Sequence, residues 1–138
     1  MNNELNMRFN GNELGGVRVV AISAEAANAR TVSLQFFSKN KKEMTDKVAV
    51  TAYISSDANG DALEADSATL SFSAGTDGIV APLAATDAVG NTVLLLVSED
   101  DGDVDLIITQ TSGADTHYVN ILLPNGEVFT SQAITFAA

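Results

Sequence analysis

The feature that most constrains this chain is a two-residue alternation of apolar with polar or small side chains. The alternation recurs in segment after segment, for example at Val32, Leu34 and Phe36. A strand with one buried face has this period, whereas an amphipathic helix repeats near 3.6 residues. The pattern predicts about eight short strands, at residues 17–22, 32–37, 48–55, 93–97, 104–108, 119–123, 128–130 and 133–136.

Turn residues separate these segments at the spacing of a β-sandwich. The clearest signal is Pro124-Asn125-Gly126, which predicts a type I′ hairpin between residues 118–123 and 127–130, because Asn and Gly tolerate positive φ. Helix signals are weak: residues 24–29 are long enough for one turn, and residues 61–68 are an ambiguous acidic, Ala-rich stretch. We therefore expect an all-β protein: one antiparallel β-sandwich over residues 16–138, preceded by an extended N-terminal arm over residues 1–15.

Charge divides the chain into two unequal parts. All seven Lys and Arg residues lie within residues 1–47, beside five acidic ones, whereas residues 48–138 carry thirteen acidic side chains and no Lys or Arg. An acidic surface repels phosphate and anionic lipid, so we expect neither a nucleic-acid nor a membrane partner. A contact face is expected in the N-terminal third.

The composition also limits location and chemistry. There is no cysteine, no signal-peptide pattern and no apolar run long enough to span a membrane, which together predict a soluble protein made in the cytoplasm. The sole histidine, His117, has no evident nucleophile or orienting partner, and is expected to be an ordinary surface or edge residue. We expect no enzyme and no cofactor.

Two acidic loops are candidate calcium sites. Asp57, Asn59 and Asp61 have the spacing that opens a calcium loop, but Ala62 and Ala68 occupy positions where that loop needs Gly and Glu. The second candidate is the dense cluster around the turn at residue 102, with Asp101, Asp103 and Asp105 as ligands. The alternative for both is an ordinary solvated turn.

The only cationic cluster is the segment 39–47, called the lysine loop below. It carries Lys39, Lys41, Lys42 and Lys47 around two acidic residues. A nucleic-acid patch would need more charge and interleaved aromatic residues. The two remaining interpretations are a solvated hairpin loop and a contact with an acidic partner surface.

The strand and turn pattern resembles a known family over about residues 17–136. Residues 31–36 and 47–61, the turn–strand–acidic turn–strand order of residues 75–109, and above all the ending at residues 118–136 resemble the Ig-like domains of structural proteins in tailed bacteriophages. Those domains are similar to invasin-type bacterial Ig-like modules. One departure is the lysine loop, where such modules more often carry an Asp/Asn-Gly turn.

The resemblance implies a non-enzymatic virion protein that decorates and stabilises a phage capsid on the virion surface. Its expected partners are the major capsid protein or another virion protein, and further copies of itself, with a trimer as one form. We expect the protein to bind its partner through the arm and the lysine loop. The expected contact residues are Arg8, Phe9, Arg18, Lys39, Lys41 and Lys42. The alternatives are a tail, neck or fibre component, or a module that binds glycans or a host surface, which would need exposed aromatic side chains.

Overall fold

The computed structural model describes residues 13–64, 69–83 and 92–137, and all regular secondary structure within these ranges is β-strand. The ten strands are β1 Leu14–Ile22, β2 Ala29–Ser38, β3 Ala49–Ser55, β4 Leu70–Ala74, β5 Ile79–Pro82, β6 Val93–Val97, β7 Asp103–Gln110, β8 Asp115–Leu122, β9 Val128–Thr130 and β10 Ile134–Phe136. The all-β prediction is confirmed, and the structure adds β4 and β5 to the eight predicted strands.

The strands form two sheets in which every pairing is antiparallel. Sheet I has the order β1-β2-β7-β4, and sheet II has the order β10-β8-β3-β6-β5, with β9 also paired to β8. The core lies between the sheets and consists of the alternate apolar residues of the central strands. Its fully enclosed members include Val32, Leu106, Ala52, Ile54, Leu96 and Ile121, each 0% exposed. The predicted sandwich is therefore confirmed.

The two additional strands carry weak sequence signals for identifiable reasons. β4 alternates apolar residues with Ser71 and Ser73, and serine is as common in loops as in strands. β5 has only four residues and ends at Pro82, which cannot donate a backbone hydrogen bond. Since β5 is the edge strand of sheet II, that proline is tolerated there.

Strand β1 begins two residues before the boundary predicted for the sandwich. Leu14 pairs with Ser38, so Leu14 and Gly15 belong to sheet I and not to the arm. A Cβ atom on Gly15 would lie 2.6 Å from the Ser38 backbone, which explains why a glycine stands in a strand here. Residues 1–12 of the predicted arm lie outside the described residues.

Both predictions about tight turns need correction. Residues 24–29 form no helical turn: Ala27 and Asn28 have φ of 52° and 65°, and Ala26 and Ala29 exchange two hydrogen bonds, which defines a type I′ turn joining β1 and β2.

The predicted hairpin between β8 and β9 is present, but its turn is not type I′. Only Gly126 of the loop has a positive φ, and its amide donates to the Leu123 carbonyl. Pro124 then occupies the second position of a type I turn, which its fixed φ favours, and Gly126 supplies the following bulge.

A buried asparagine connects three parts of sheet II. Asn120 is 0% exposed, and its amide nitrogen donates to Ser55 Oγ at 2.8 Å and to the Tyr53 carbonyl at 3.2 Å. Its amide oxygen accepts from Thr130 Oγ1 at 2.7 Å. The side chain therefore ties β8 to β3 and to β9 through satisfied hydrogen bonds.

We expect Asn120→Ala to lower the free energy of unfolding by about 2 kcal/mol or more, because it removes an enclosed amide together with its hydrogen bonds to Ser55, Tyr53 and Thr130. Urea denaturation monitored by circular dichroism measures this. Asn40→Ala is the control, since this exposed side chain makes no hydrogen bond to another described residue. Equal stability of the two variants would contradict the assignment.

We expect Ala27→Asn to raise the free energy of unfolding by about 1 kcal/mol, because asparagine adopts positive φ more readily than alanine at this turn position. The same denaturation experiment detects the gain. Ala26→Asn introduces the same side chain at the adjacent position, which lacks positive φ, and should bring no gain.

Candidate functional site

The lysine loop connects β2 of sheet I to β3 of sheet II and folds back on the end of β2. The Lys41 amide donates to the Ser38 carbonyl, and the Ser38 amide donates to the Lys42 carbonyl. Met44 anchors the loop, since it is 5% exposed and its amide donates to the Phe36 carbonyl. This anchoring leaves Lys39, Lys41 and Lys42 exposed at the tip.

The start of β1 lies directly against this loop. Lys39 Nζ is 3.1 Å from Glu13 Oε1, and the Lys39 amide donates to the Glu13 carbonyl at 2.9 Å. Arg18 is exposed and lies four residues after Leu14, the first residue of β1. At the rise of a strand, this places Arg18 about 13 Å further along β1. We call Arg18, Lys39, Lys41 and Lys42 the cationic corner.

The structure thus brings together four of the six residues predicted to grip a partner. Among the described residues, Arg18, Lys41 and Lys42 form no ion pair, so their charges are available to a partner. Arg8 and Phe9 lie outside the described residues.

A shallow groove adjoins the cationic corner between the two sheets. It has a volume of about 360 Å³ and is lined mainly by β1 and by the hairpin that ends in β9, with Val17, Phe37, Leu123, Val128 and Phe129 as its apolar residues. Gly16 forms part of its floor, and a Cβ atom there would lie 2.6 Å from the Phe37 ring. Apolar surface is therefore exposed beside the outer edge of β1, which pairs with no other strand in the described part of the chain.

The acidic cluster around residue 102 lies close to the positive residues in space. Arg18, Gln35 and Asp103 stand side by side on β1, β2 and β7. Antiparallel pairing places β7 next to β2. The acidic residues of β7 and the positive residues of β1 therefore lie near each other in sheet I, although they come from differently charged parts of the sequence.

Burial raises the pKa of the Asp103 carboxyl above its ordinary value of 3.8, and nearby carboxylates raise it further. These are, in decreasing order of effect, Asp101, Asp77, Glu43 and Asp105. The Thr76 hydroxyl donates to Asp105 Oδ2 at 3.0 Å, and the Asp103 amide donates to Asp101 Oδ1 at 3.3 Å. The side chains thus help to organise the turn, and calcium binding here stays a prediction.

The other calcium candidate has its first carboxylate committed to the backbone. Asp57 Oδ1 accepts hydrogen bonds from the amides of Asp61 and Ala62 at 3.0 and 3.1 Å. This arrangement is a side-chain-stabilised turn. Asn59 is exposed at its tip, and calcium binding at this loop also stays a prediction.

The interpretation of His117 as a surface or edge residue is wrong. His117 is 1% exposed, lies in β8 and packs against the Phe136 ring at a centroid distance of 5.9 Å. Its Nε2 atom hydrogen-bonds Gln110 Oε1, and its Nδ1 atom lies 3.3 Å from Glu64 Oε1. Inward-facing Val119 and Ile121 in the same strand put residue 117 on the buried face, which is the signal that could have located it.

Glu64, Asp115 and His117 form a polar cluster that the sequence analysis did not identify. One ligand atom from each residue lies within 4.8 Å of the others, and within the described ranges this is the only group of three such residues that converges in this way. Glu64 belongs to the loop after β3, about fifty residues before His117, so no local motif reveals it.

Comparisons of the chain with protein-family models, with curated proteins and with solved structures found no match. Within the described ranges, no helix has the length and apolar character needed to cross a membrane.

We expect Asp103→Asn to raise the melting temperature at pH 7, measured by calorimetry in EDTA. The folded protein holds the Asp103 proton more tightly than the unfolded chain does, so the ionised carboxyl costs stability at neutral pH. The gain should shrink as the pH falls and vanish well below 3.8, where both states are protonated. Asp100→Asn makes the same charge change at an exposed position of the turn and should give a smaller gain. A gain that persists at low pH would contradict this electrostatic origin.

Proposed function

We propose that this protein is a non-enzymatic structural protein of a tailed-phage virion, in which an Ig-like sandwich decorates and stabilises the capsid. The antiparallel two-sheet architecture is compatible with such a domain. The resemblance of residues 17–136 to phage Ig-like domains supplies the phage context. On this proposal the protein is made in the host cytoplasm, lies on the virion surface and binds the major capsid protein.

The observation that carries the proposal is the cationic corner. Residues from two separate parts of the sequence meet where the chain enters β1, and the Glu13–Lys39 contacts hold them together. In a chain of net charge −11, this is where an acidic partner surface would meet attraction instead of repulsion. The cationic corner is thus the favoured surface for binding the capsid.

The edge of β1 adds a second way to hold a partner. Among the described strands β1 is the outermost of sheet I, so its outer backbone groups can pair with an extended segment of a neighbouring protein. Irregularities between Leu14 and Gly16 and between Val19 and Ala21 interrupt the edge, which limits unspecific strand addition. Backbone pairing would supply affinity, and the adjacent groove would select apolar side chains.

The glycan-binding alternative receives less support from the structure. Sugar-binding surfaces commonly use exposed aromatic rings, and none of the aromatic side chains in the described ranges is exposed. Tyr53, for example, is half-buried and its hydroxyl donates to the Gly60 carbonyl at 2.6 Å. A protein-binding role therefore fits the surface better.

We expect Lys42→Glu to weaken binding to empty capsids by about tenfold at low salt, because it reverses an unpaired charge in the cationic corner. Co-sedimentation of the labelled protein with capsids that lack it measures this. Lys47→Glu makes the same charge change in a different part of the surface, beside Glu99 and Asp100, and should bind as the wild type does. Equal affinities of both variants would remove the corner from the interface.

Two further measurements separate the alternatives. Deletion of residues 1–12 leaves β1 intact, and undiminished capsid binding would show that the arm is not an anchor.

Mass spectrometry of purified virions gives the copy number: hundreds of copies indicate the capsid, whereas a dozen or fewer indicate a neck or tail component and overturn capsid decoration.

A further inference from the structure

A buried polar cluster links the two sheets at one end of the sandwich. Gln110 is the last residue of β7 in sheet I, and His117 lies in β8 of sheet II. Glu64 enters from the loop after β3, and its amide donates to the Ile54 carbonyl at 2.9 Å. His117 and Gln110 are 1% and 8% exposed, so water compensates little for an unpaired polar atom there.

The hydrogen bonds of Gln110 determine which imidazole nitrogen carries a proton. The Gln110 amide nitrogen donates to the carbonyls of Ser112 and Gly113 at 3.3 and 3.1 Å. These two bonds orient the amide so that Oε1, which can only accept, faces His117 Nε2. Nε2 is therefore the donor, and in a neutral imidazole Nδ1 keeps its lone pair.

That lone pair has no suitable partner in the described part of the protein. Within the described residues, His117 Nδ1 is the one buried side-chain nitrogen or oxygen that makes no hydrogen bond. The nearest acidic atom is Glu64 Oε1 at 3.3 Å, which is also an acceptor when ionised. Two acceptors that face each other in a buried site repel, so the geometry requires a positive species between them.

Asp115 offers a third ligand atom, since one such atom from each of Glu64, Asp115 and His117 lies within 4.8 Å of the others. The Asp115 carboxylate is oriented by its own chain, since Oδ1 accepts from the Thr116 amide at 2.8 Å and leaves Oδ2 directed to the imidazole at 3.9 Å from Nε2. The alternative to a metal ion is a proton on Nδ1, which would place an imidazolium beside both carboxylates, and the NMR readout below distinguishes the two. The Asp115 side chain is 52% exposed, which gives an ion access from solvent.

We propose that Glu64, Asp115 and His117 bind one divalent cation of the zinc type, with His117 Nδ1 as the nitrogen ligand. Two carboxylates and a neutral imidazole match the charge of such an ion, and the imidazole favours zinc over calcium or magnesium. Water completes the tetrahedral set. The Gln110 hydrogen bond to Nε2 is the outer contact that orients a histidine ligand. The ion holds the loop after β3 against β8, a stabilising link in a chain without cysteine.

The test is isothermal titration of the EDTA-treated full chain with zinc chloride. We expect one zinc ion per chain and a higher melting temperature, because the ion binds only the folded site. Asp115→Asn keeps an oxygen for the Thr116 amide and should fold, yet bind zinc at least about tenfold more weakly. Asp100→Asn makes the same charge change outside the cluster and should leave zinc affinity unchanged.

Nitrogen-15 NMR of the labelled imidazole provides a second readout. We expect added zinc to shift the Nδ1 resonance while Nε2 keeps its proton. The proposal is overturned if no zinc binds at millimolar concentration or if Asp115→Asn binds as tightly as the wild type. A proton that remains on Nδ1 in the presence of zinc would also overturn it. None of these outcomes depends on capsid binding, so this site and the proposed function are tested separately.

Discussion

Burial of two apolar sheet faces against each other is the constraint on which this structure depends. The chain has neither disulfides nor tryptophan, so the alternate side chains of β2, β7, β3, β6 and β8 must supply the core. Each apolar side chain enclosed there contributes on the order of 2 kcal/mol. A polar side chain on an inward position must therefore form its hydrogen bonds with other protein groups, because water is excluded from the core. Asn120 finds such partners, whereas Nδ1 of His117 has no hydrogen-bond partner among the described residues.

The sandwich could be predicted from the sequence because its signal is local and repeated. Each inward face alternates with an outward one, as in Val104, Leu106 and Ile108. The features that were predicted wrongly or missed depend on information outside the local sequence pattern. A type I′ turn at Ala27 and Asn28 carries no glycine, and β4 is recognisable only once β7 is in place beside it. Sheet order likewise follows from pairing between distant segments, which alternation does not specify.

The candidate sites were predictable to different degrees. Charge counting located the lysine loop, and the structure added the contact with Glu13 that brings β1 to it. The buried cluster has no local sequence signal, because Asp115 lies beside His117 in the chain but Glu64 comes from a distant loop. Extending the alternation of Val119 and Ile121 by one step would have placed His117 inside, but Glu64 could be found only in three dimensions.

The position of β7 also has a consequence for synthesis on the ribosome. β2 pairs with β1 on one side through a short hairpin, but on its other side Ala29 pairs with Thr109, eighty positions later in the chain. Sheet I therefore cannot close until residues 103–110 have left the ribosome. Until then one edge of β2 and its apolar face remain open. A nascent chain stalled before β7 would be a target for chaperones.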